Sequence, residues 1–180
     1  SAVYNQQLGS LGFIDLAEFN WMFFSHESKR DFHVGMSKVA GQTWNPSLPA
    51  DIVQNSPRNF KVWGTEPRLS MDINGDRVNQ HWIVGGRFVS EKIDYQVRQQ
   101  TLATGATAVT RDWNFDDQAW AGYISNAVKL FDDRLTITPG MRFEHVNEKY
   151  TDEKSGQHFS SPDDQWLPGL TVGYQLTPAW

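Results

Sequence analysis

The chain has no cysteine, which excludes a disulfide framework and thiolate metal sites. It has no apolar run near the about eighteen residues that a spanning helix needs, and its mean hydropathy is −0.55. Basic residues are neither in excess nor clustered: 16 Lys and Arg stand against 21 Asp and Glu, for a net charge of −5. A nucleic-acid partner is therefore not expected. The stretch that opens at Ser1 does not itself read as a signal h-region or transit-like segment. The five His are scattered; His26 and His33 flank the start of one polar stretch, but no Glu or Cys completes a metal site. Ser160 and Ser161 lack a nucleophile elbow, and no phosphate-cradling glycine pattern occurs. Asp116–Asp117 and Asp132–Asp133 are adjacent pairs, whose side chains would point to opposite faces of a strand, so neither makes a proton-sharing dyad. They read as strand-end or turn residues. No enzyme site and no resident cofactor emerge.

What is abundant is aromatic: 8 Trp, 11 Phe and 5 Tyr, placed in period-two patterns. In residues 135–146, Leu135, Ile137, Met141 and Phe143 alternate with Thr136, Thr138, Gly140, Arg142 and Glu144, the pattern of a strand with one apolar face. Similar strands are predicted at 4–14, from Glu18 to Arg30 with Phe19, Trp21 and Phe23 outward, and from Arg58 to Ile73 with Leu69, Met71 and Ile73 on one face. Pro67 there demands a bulge or an unpaired N–H. Asn74-Gly75-Asp76 is a hairpin turn. Further strands follow at 78–98, where Trp82, Val84, Gly86 and Phe88 share a face, at 113–131 with Trp120, Gly122 and Ile124, and at 166–176 with Trp166, Leu170, Val172, Tyr174 and Leu176. Thr177-Pro178-Ala179 reads as a further turn.

Polar connections are expected at 31–57, 99–110 and 147–165, alternating with tight corners. In an up-and-down sheet all the long loops then share one end. Long strands with one apolar face, recurring Trp and Tyr and unequal loops match a transmembrane β-barrel wall. A soluble β-sandwich or other all-β binding module, for carbohydrate as one example, also alternates, but sandwich strands average only about five to six residues. Lys61, Arg87, Arg142 and Glu144 are expected on the lumen face. The chain opens at Ser1 and stops at Trp180 as a turn begins, so a segment of something larger is expected.

Thr136-Ile137-Thr138-Pro139-Gly140-Met141-Arg142-Phe143-Glu144-His145 resembles a barrel strand of TonB-dependent outer-membrane transporters. Ser10-Leu11-Gly12-Phe13, Phe19-Asn20, Ser56-Pro57-Arg58-Asn59, Gly64-Thr65-Glu66-Pro67-Arg68, Thr110-Arg111-Asp112 and Leu167-Pro168-Gly169-Leu170 agree in order. The Ser-Pro-Arg-Asn and Gly-x-Glu-Pro-Arg pieces resemble the branch that imports ferric dicitrate. The resemblance implies an all-β, antiparallel up-and-down transmembrane barrel segment, about seven strands of a barrel of about twenty-two. Residues 1–180 would be part of that single barrel domain, without the plug. It implies uptake of a Fe(III) chelate across the outer membrane of a Gram-negative bacterium, amid lipid and lipopolysaccharide, with the TonB complex engaged by parts of the protein outside this chain. A receptor for another siderophore or metal chelate is the alternative within the class, and Trp44 and Trp113 would then matter more.

Ferric dicitrate is a compact anion, and Arg suits it because the planar guanidinium can pair two carboxylate oxygens at once. Matched to the family's mouth arginines, the substrate-binding candidates are Arg30, Arg58 and Arg111. All three fall where strands meet polar connections. The competing reading makes each a rim residue, solvated or paired with a neighbour such as Asp31 or Asp112, where exposed pairs contribute little.

Overall fold

Seven strands joined in sequence order form one antiparallel sheet in the computed structural model, which describes residues 1–36 and 51–176. They are β1 (Ala2–Leu11), β2 (Ile14–Met36), β3 (Ile52–Asn74), β4 (Val78–Thr101), β5 (Thr107–Leu130), β6 (Leu135–Asp152) and β7 (Gln157–Tyr174). From β2 onward each is 18 to 24 residues long. That far exceeds the sandwich norm of about five to six. No second layer packs on the sheet among the described residues, where the only buried hydrophobic side chains are Ala17, Ile52, Val97 and Ala121. Trp44 and the turn expected at 177–179 lie outside the described residues.

The hairpin at 74–76 forms as the sequence predicts, with the Gly75 N–H donating to the Val78 carbonyl at 3.0 Å. Asp132 and Asp133 are turn residues, in the left-handed region with Phe131 at φ of 56°, 54° and 63° for residues 131–133. The prolines act as breaks in pairing rather than in register. Pairing of β3 with β4 lapses at Ser56–Pro57 and at Glu66–Pro67, and that of β5 with β6 lapses opposite Pro139, with the same register on either side. A missing N–H is tolerated where its neighbours on both sides remain paired.

The expected polar connections are mostly strand. β2 and β3 pair from Met36 and Ile52 inward, β4 reaches Thr101 and β5 begins at Thr107, and β6 and β7 are joined by residues 153–156. Two of the three expected long loops are therefore short, at 102–106 and 153–156, and most of the third lies outside the described residues. Polarity misleads here because a ladder standing in water needs backbone pairing, not an apolar face. Residues that read as loop remain hydrogen-bonded to an equally long neighbour.

Register assigns the faces, since directly opposed residues share one. Phe19, Trp21, Phe23, Trp63, Leu69, Met71, Trp82, Val84, Phe88, Trp120, Ile124, Ile137, Met141, Phe143, Trp166, Leu170, Val172 and Tyr174 all fall on one side, the apolar face. Glu18, Asn20, Glu66, Arg68, Arg87, Tyr123, Arg142 and Glu144 fall on the other, the polar face. Of the apolar set, Trp21, Phe23, Trp63, Val84, Trp120, Ile124 and Met141 are 39–48% exposed. Side chains of this size left open on every strand call for an apolar solvent rather than water.

The apolar face is bounded. Phe23–Trp63, Trp63–Phe88, Trp120–Phe143 and Phe143–Trp166 are ring neighbours with centroids 6.3, 5.1, 5.1 and 4.7 Å apart, a belt that crosses from β2 to β7. On β4 the apolar side chains run from Val78 to Phe88. At about 3.3 Å per residue and a tilt of about 45°, those residues cover about 25 Å, the height of a barrel's lipid-facing band. Beyond the belt this face turns polar, with Glu27, Lys29, Lys61, Lys92, Asp116 and Lys149. Lys61 thus departs from expectation: it opposes Glu27 and Lys92, two residues from Trp63 on the same face, and does not join Arg87, Arg142 and Glu144 on the polar side.

Candidate binding surface

Beyond the belt the polar face changes character too. Arg30 is directly opposite Arg58 across β2 and β3, Arg58 is opposite Tyr95 on β4, Tyr95 is opposite Trp113 on β5, and Trp113 is opposite Asp152 on β6. Arg111 sits two residues from Trp113 and opposes Val97. The three arginines matched by resemblance therefore share one face at one end of the sheet. Phase is preserved because the irregularity between Val97 and Arg98 lies on the loop side of Arg111.

Each guanidinium lies over aromatic rings. Arg58 Cζ is 4.4 Å from the Tyr95 ring centroid and 5.3 Å from that of Phe32. Arg30 Cζ is 5.3 Å from Phe60, and Arg111 Cζ is 5.0 Å from Trp113. The rings continue edge-on, Tyr95–Trp113 at 5.5 Å and Trp113–Tyr150 at 5.9 Å, and then tilted, Phe115–Tyr150 at 5.3 Å. A ring face beneath a guanidinium contributes about 0.5–1 kcal/mol at exposed sites and leaves the N–H fork free for an anion.

No carboxylate among the described residues lies within ion-pair distance of Arg30, Arg58 or Arg111. The neighbours that could have neutralised them face the other way: Asp31 is 3.4 Å from His33, and Asp112 accepts a 2.9 Å hydrogen bond from Gln96. Arg58 Nε is shielded from solvent without a hydrogen-bond partner. Two cations directly opposed across a ladder repel, and no carboxylate in the described sheet neutralises Arg30 or Arg58.

Charges below and beside this row are ordered as well. Asp152 is held below the usual carboxylate range: burial opposes this, but the Lys154 and Ser155 N–H groups donate to Oδ1 at 2.9 and 3.3 Å and the Ser155 and Trp113 side chains add to them. The Tyr150 hydroxyl is pushed up by desolvation and then by Asp152, against the pull of Arg111. Glu91, Asp117 and Glu148 oppose one another in a row four residues closer to the belt on the same face. Asp117 is pushed up by burial first, a backbone hydrogen bond from Lys149 acting against it, then by Glu148, Glu91 and Asp116.

Of this aromatic lining the sequence named only Trp113. Its signal lies in the phase of Phe60 with Arg58, Tyr95 with Arg87, and Tyr150 with Arg142, which continues each polar face past the belt. No group of three or more His, Asp or Glu suited to a metal ion occurs among the described residues. His26 and His33 fall on opposite faces of β2.

The sequence profile of the TonB dependent receptor-like β-barrel family matches residues 4–180. The chain belongs to this family. The family is one of outer-membrane transporters and receptors rather than enzymes, and membership explains the bounded apolar face. Among solved structures, the ferric citrate transporter FecA in its unliganded form superposes with a TM-score of 0.77 at 24% identity, over 97% of this chain and 24% of that one. The ferric yersiniabactin uptake receptor FyuA from Yersinia pestis superposes with a TM-score of 0.53 at 17% identity, over 90% of this chain and 23% of that one. The chain spans about a quarter of the length of either. These likenesses establish the barrel-wall fold.

Proposed function

We propose that the protein to which this TonB-dependent receptor segment belongs takes up an anionic ferric chelate, ferric dicitrate, across the outer membrane. The observation that carries this reading is the row of Arg30, Arg58 and Arg111 on one face, at one end, without a carboxylate partner in the described sheet. Placed over rings, the guanidinium edges would hold citrate carboxylates in bidentate pairs, while the chelated iron keeps its own oxygen ligands. The acid row Glu91–Asp117–Glu148 would discourage the anion from settling deeper, so that it stays at the arginines until transport is triggered. Coupling to TonB and movement of a plug would be supplied by regions outside this chain.

The test is ferric citrate binding at fixed salt by the full-length protein and its Arg58→Ala and Arg111→Ala variants. At least a tenfold loss in each, with the barrel still assembled, is the expected result, about 1.4 kcal/mol or more per charge-assisted contact. Unchanged affinity in both would return the arginines to the rim.

The ring row favours a second reading, a chelate with aromatic groups. Tyr95, Trp113, Phe115 and Tyr150 form a continuous surface that could stack such groups. In that case Trp113→Ala would weaken binding more than Arg111→Ala, and ferric citrate would not compete.

A further inference from the structure

Lys61 lies outside the barrel wall, and its surroundings there are specific. It is directly opposite Lys92 across β3 and β4, on the apolar side of the sheet, two residues past the belt tryptophan Trp63. Lys29 is one row further on and Lys149 flanks the same row on β6. Of the acids nearby, Asp116 is taken by Lys92 at 3.3 Å. Lys61 has no carboxylate within ion-pair distance among the described residues, although Glu27 opposes it on β2 and Asp94 lies one row on from Lys92.

Two ammonium groups directly opposed across a ladder are unfavourable by themselves. They are favourable where one anion lies between them. The belt fixes the level at which they stand: aromatic rings of this kind occupy the boundary between hydrocarbon and headgroups, so groups one turn of the pleat beyond it meet the headgroup layer. The anions available at that level are lipid phosphates, and each basic side chain near such a surface contributes about 1 kcal/mol of attraction.

We infer that Lys61 and Lys92 form a docking site on the outside of the barrel for a phosphate of a membrane-lipid headgroup, with Lys29 and Lys149 widening the positive field and Glu27 limiting it. The site is separate from the arginine row, which lies on the opposite face, and does not depend on the substrate assigned to it. It ties the wall to its surrounding lipid at β3 and β4.

The experiment uses the full-length protein in detergent, incubated with bisphosphorylated lipid A or with the dephosphorylated form, and reads retained lipid per barrel after size exclusion. The parent is expected to retain the phosphorylated form several-fold over the other. The Lys61→Gln/Lys92→Gln double variant is expected to lose that preference, Lys61→Arg to keep it, and Glu27→Gln to strengthen it. A heat-modifiable gel shift shows that each barrel is assembled. Equal retention by parent and double variant overturns the site, as does equal retention of both lipid forms by the parent. Displacement of the bound lipid by millimolar inorganic phosphate would instead assign it to a free anion and overturn the lipid reading.

Discussion

Arg58 has a ring on either side, Tyr95 at 4.4 Å and Phe32 at 5.3 Å, and a like charge directly opposite. Lysine at this position would keep the charge and lose both the stack and the fork. Arg58→Lys is therefore expected to weaken ferric citrate binding several-fold, less than Arg58→Ala, and added salt should weaken the parent more than the Ala variant. Equal affinity for Lys and Arg would mean that only charge counts. Asp117 makes a different kind of prediction. Its carboxyl is raised in the fold, by burial and then by Glu148, Glu91 and Asp116. The folded state thus binds the proton more tightly than the unfolded chain, and the stability this contributes is present below the ordinary carboxylate pKa and lost as pH rises through the raised one. At neutral pH the charged Asp117 is a cost. Asp117→Asn should raise the melting temperature of the full-length barrel near neutral pH, with a gain that shrinks in acid. A gain confined to acid would reverse the sign and refute the account.

Strands carry the next level of explanation. Val84 and Ile137 lie on the apolar face and Arg142 on the polar one, where it pairs with Glu144. A charge on the lipid side costs about 2–4 kcal/mol at mid-membrane, so Val84→Arg or Ile137→Arg should lower the assembled, heat-modifiable fraction far more than Arg142→Gln. Equal tolerance would invert the faces. Close approach limits β3 separately: a Cβ at Gly64 would meet the Phe24 ring and come 2.7 Å from the Phe88 carbonyl oxygen, whereas one at Gly122 meets nothing within 4 Å. Gly64→Ala should cost about 1–3 kcal/mol and Gly122→Ala far less, read from unfolding of the assembled barrel. These faces were legible in the sequence because Trp82-Val84-Gly86-Phe88 and Leu135-Ile137 repeat every second residue. The strand ends were not, since Gln99, Thr107, Lys149 and Gln157 are polar in a ladder that stands in water. Lys61 was misplaced for a related reason. Past Trp63 the outward side chains become charged, so polarity no longer marks the lumen and only the register with Lys92 does. The arginines were found by local motif, while their common face depends on pairing across β2 to β5, which no single stretch of sequence encodes.

At the scale of the molecule, the sheet runs linearly from β1 to β7, and within the described residues β1 pairs only with β2 and β7 only with β6. β7 shows what that implies: Trp166, Leu170, Val172 and Tyr174 are 56–69% exposed, more than their counterparts inside the sheet. An unpaired edge is not viable in hydrocarbon, where each unsatisfied backbone group costs several kcal/mol, and in water the same edge templates aggregation. The wall therefore needs both further strands to close it and lipid or detergent to cover its apolar face. Two dependences can be separated. Residues 1–180 expressed alone should aggregate without detergent, and in detergent should remain without the heat-modifiable shift of a closed barrel. The full-length protein should show that shift in detergent and lose solubility when detergent is removed. A monomeric, protease-resistant 1–180 in plain buffer would instead mean that the apolar face packs on itself, which is the behaviour of a soluble all-β module and incompatible with a lipid-facing wall.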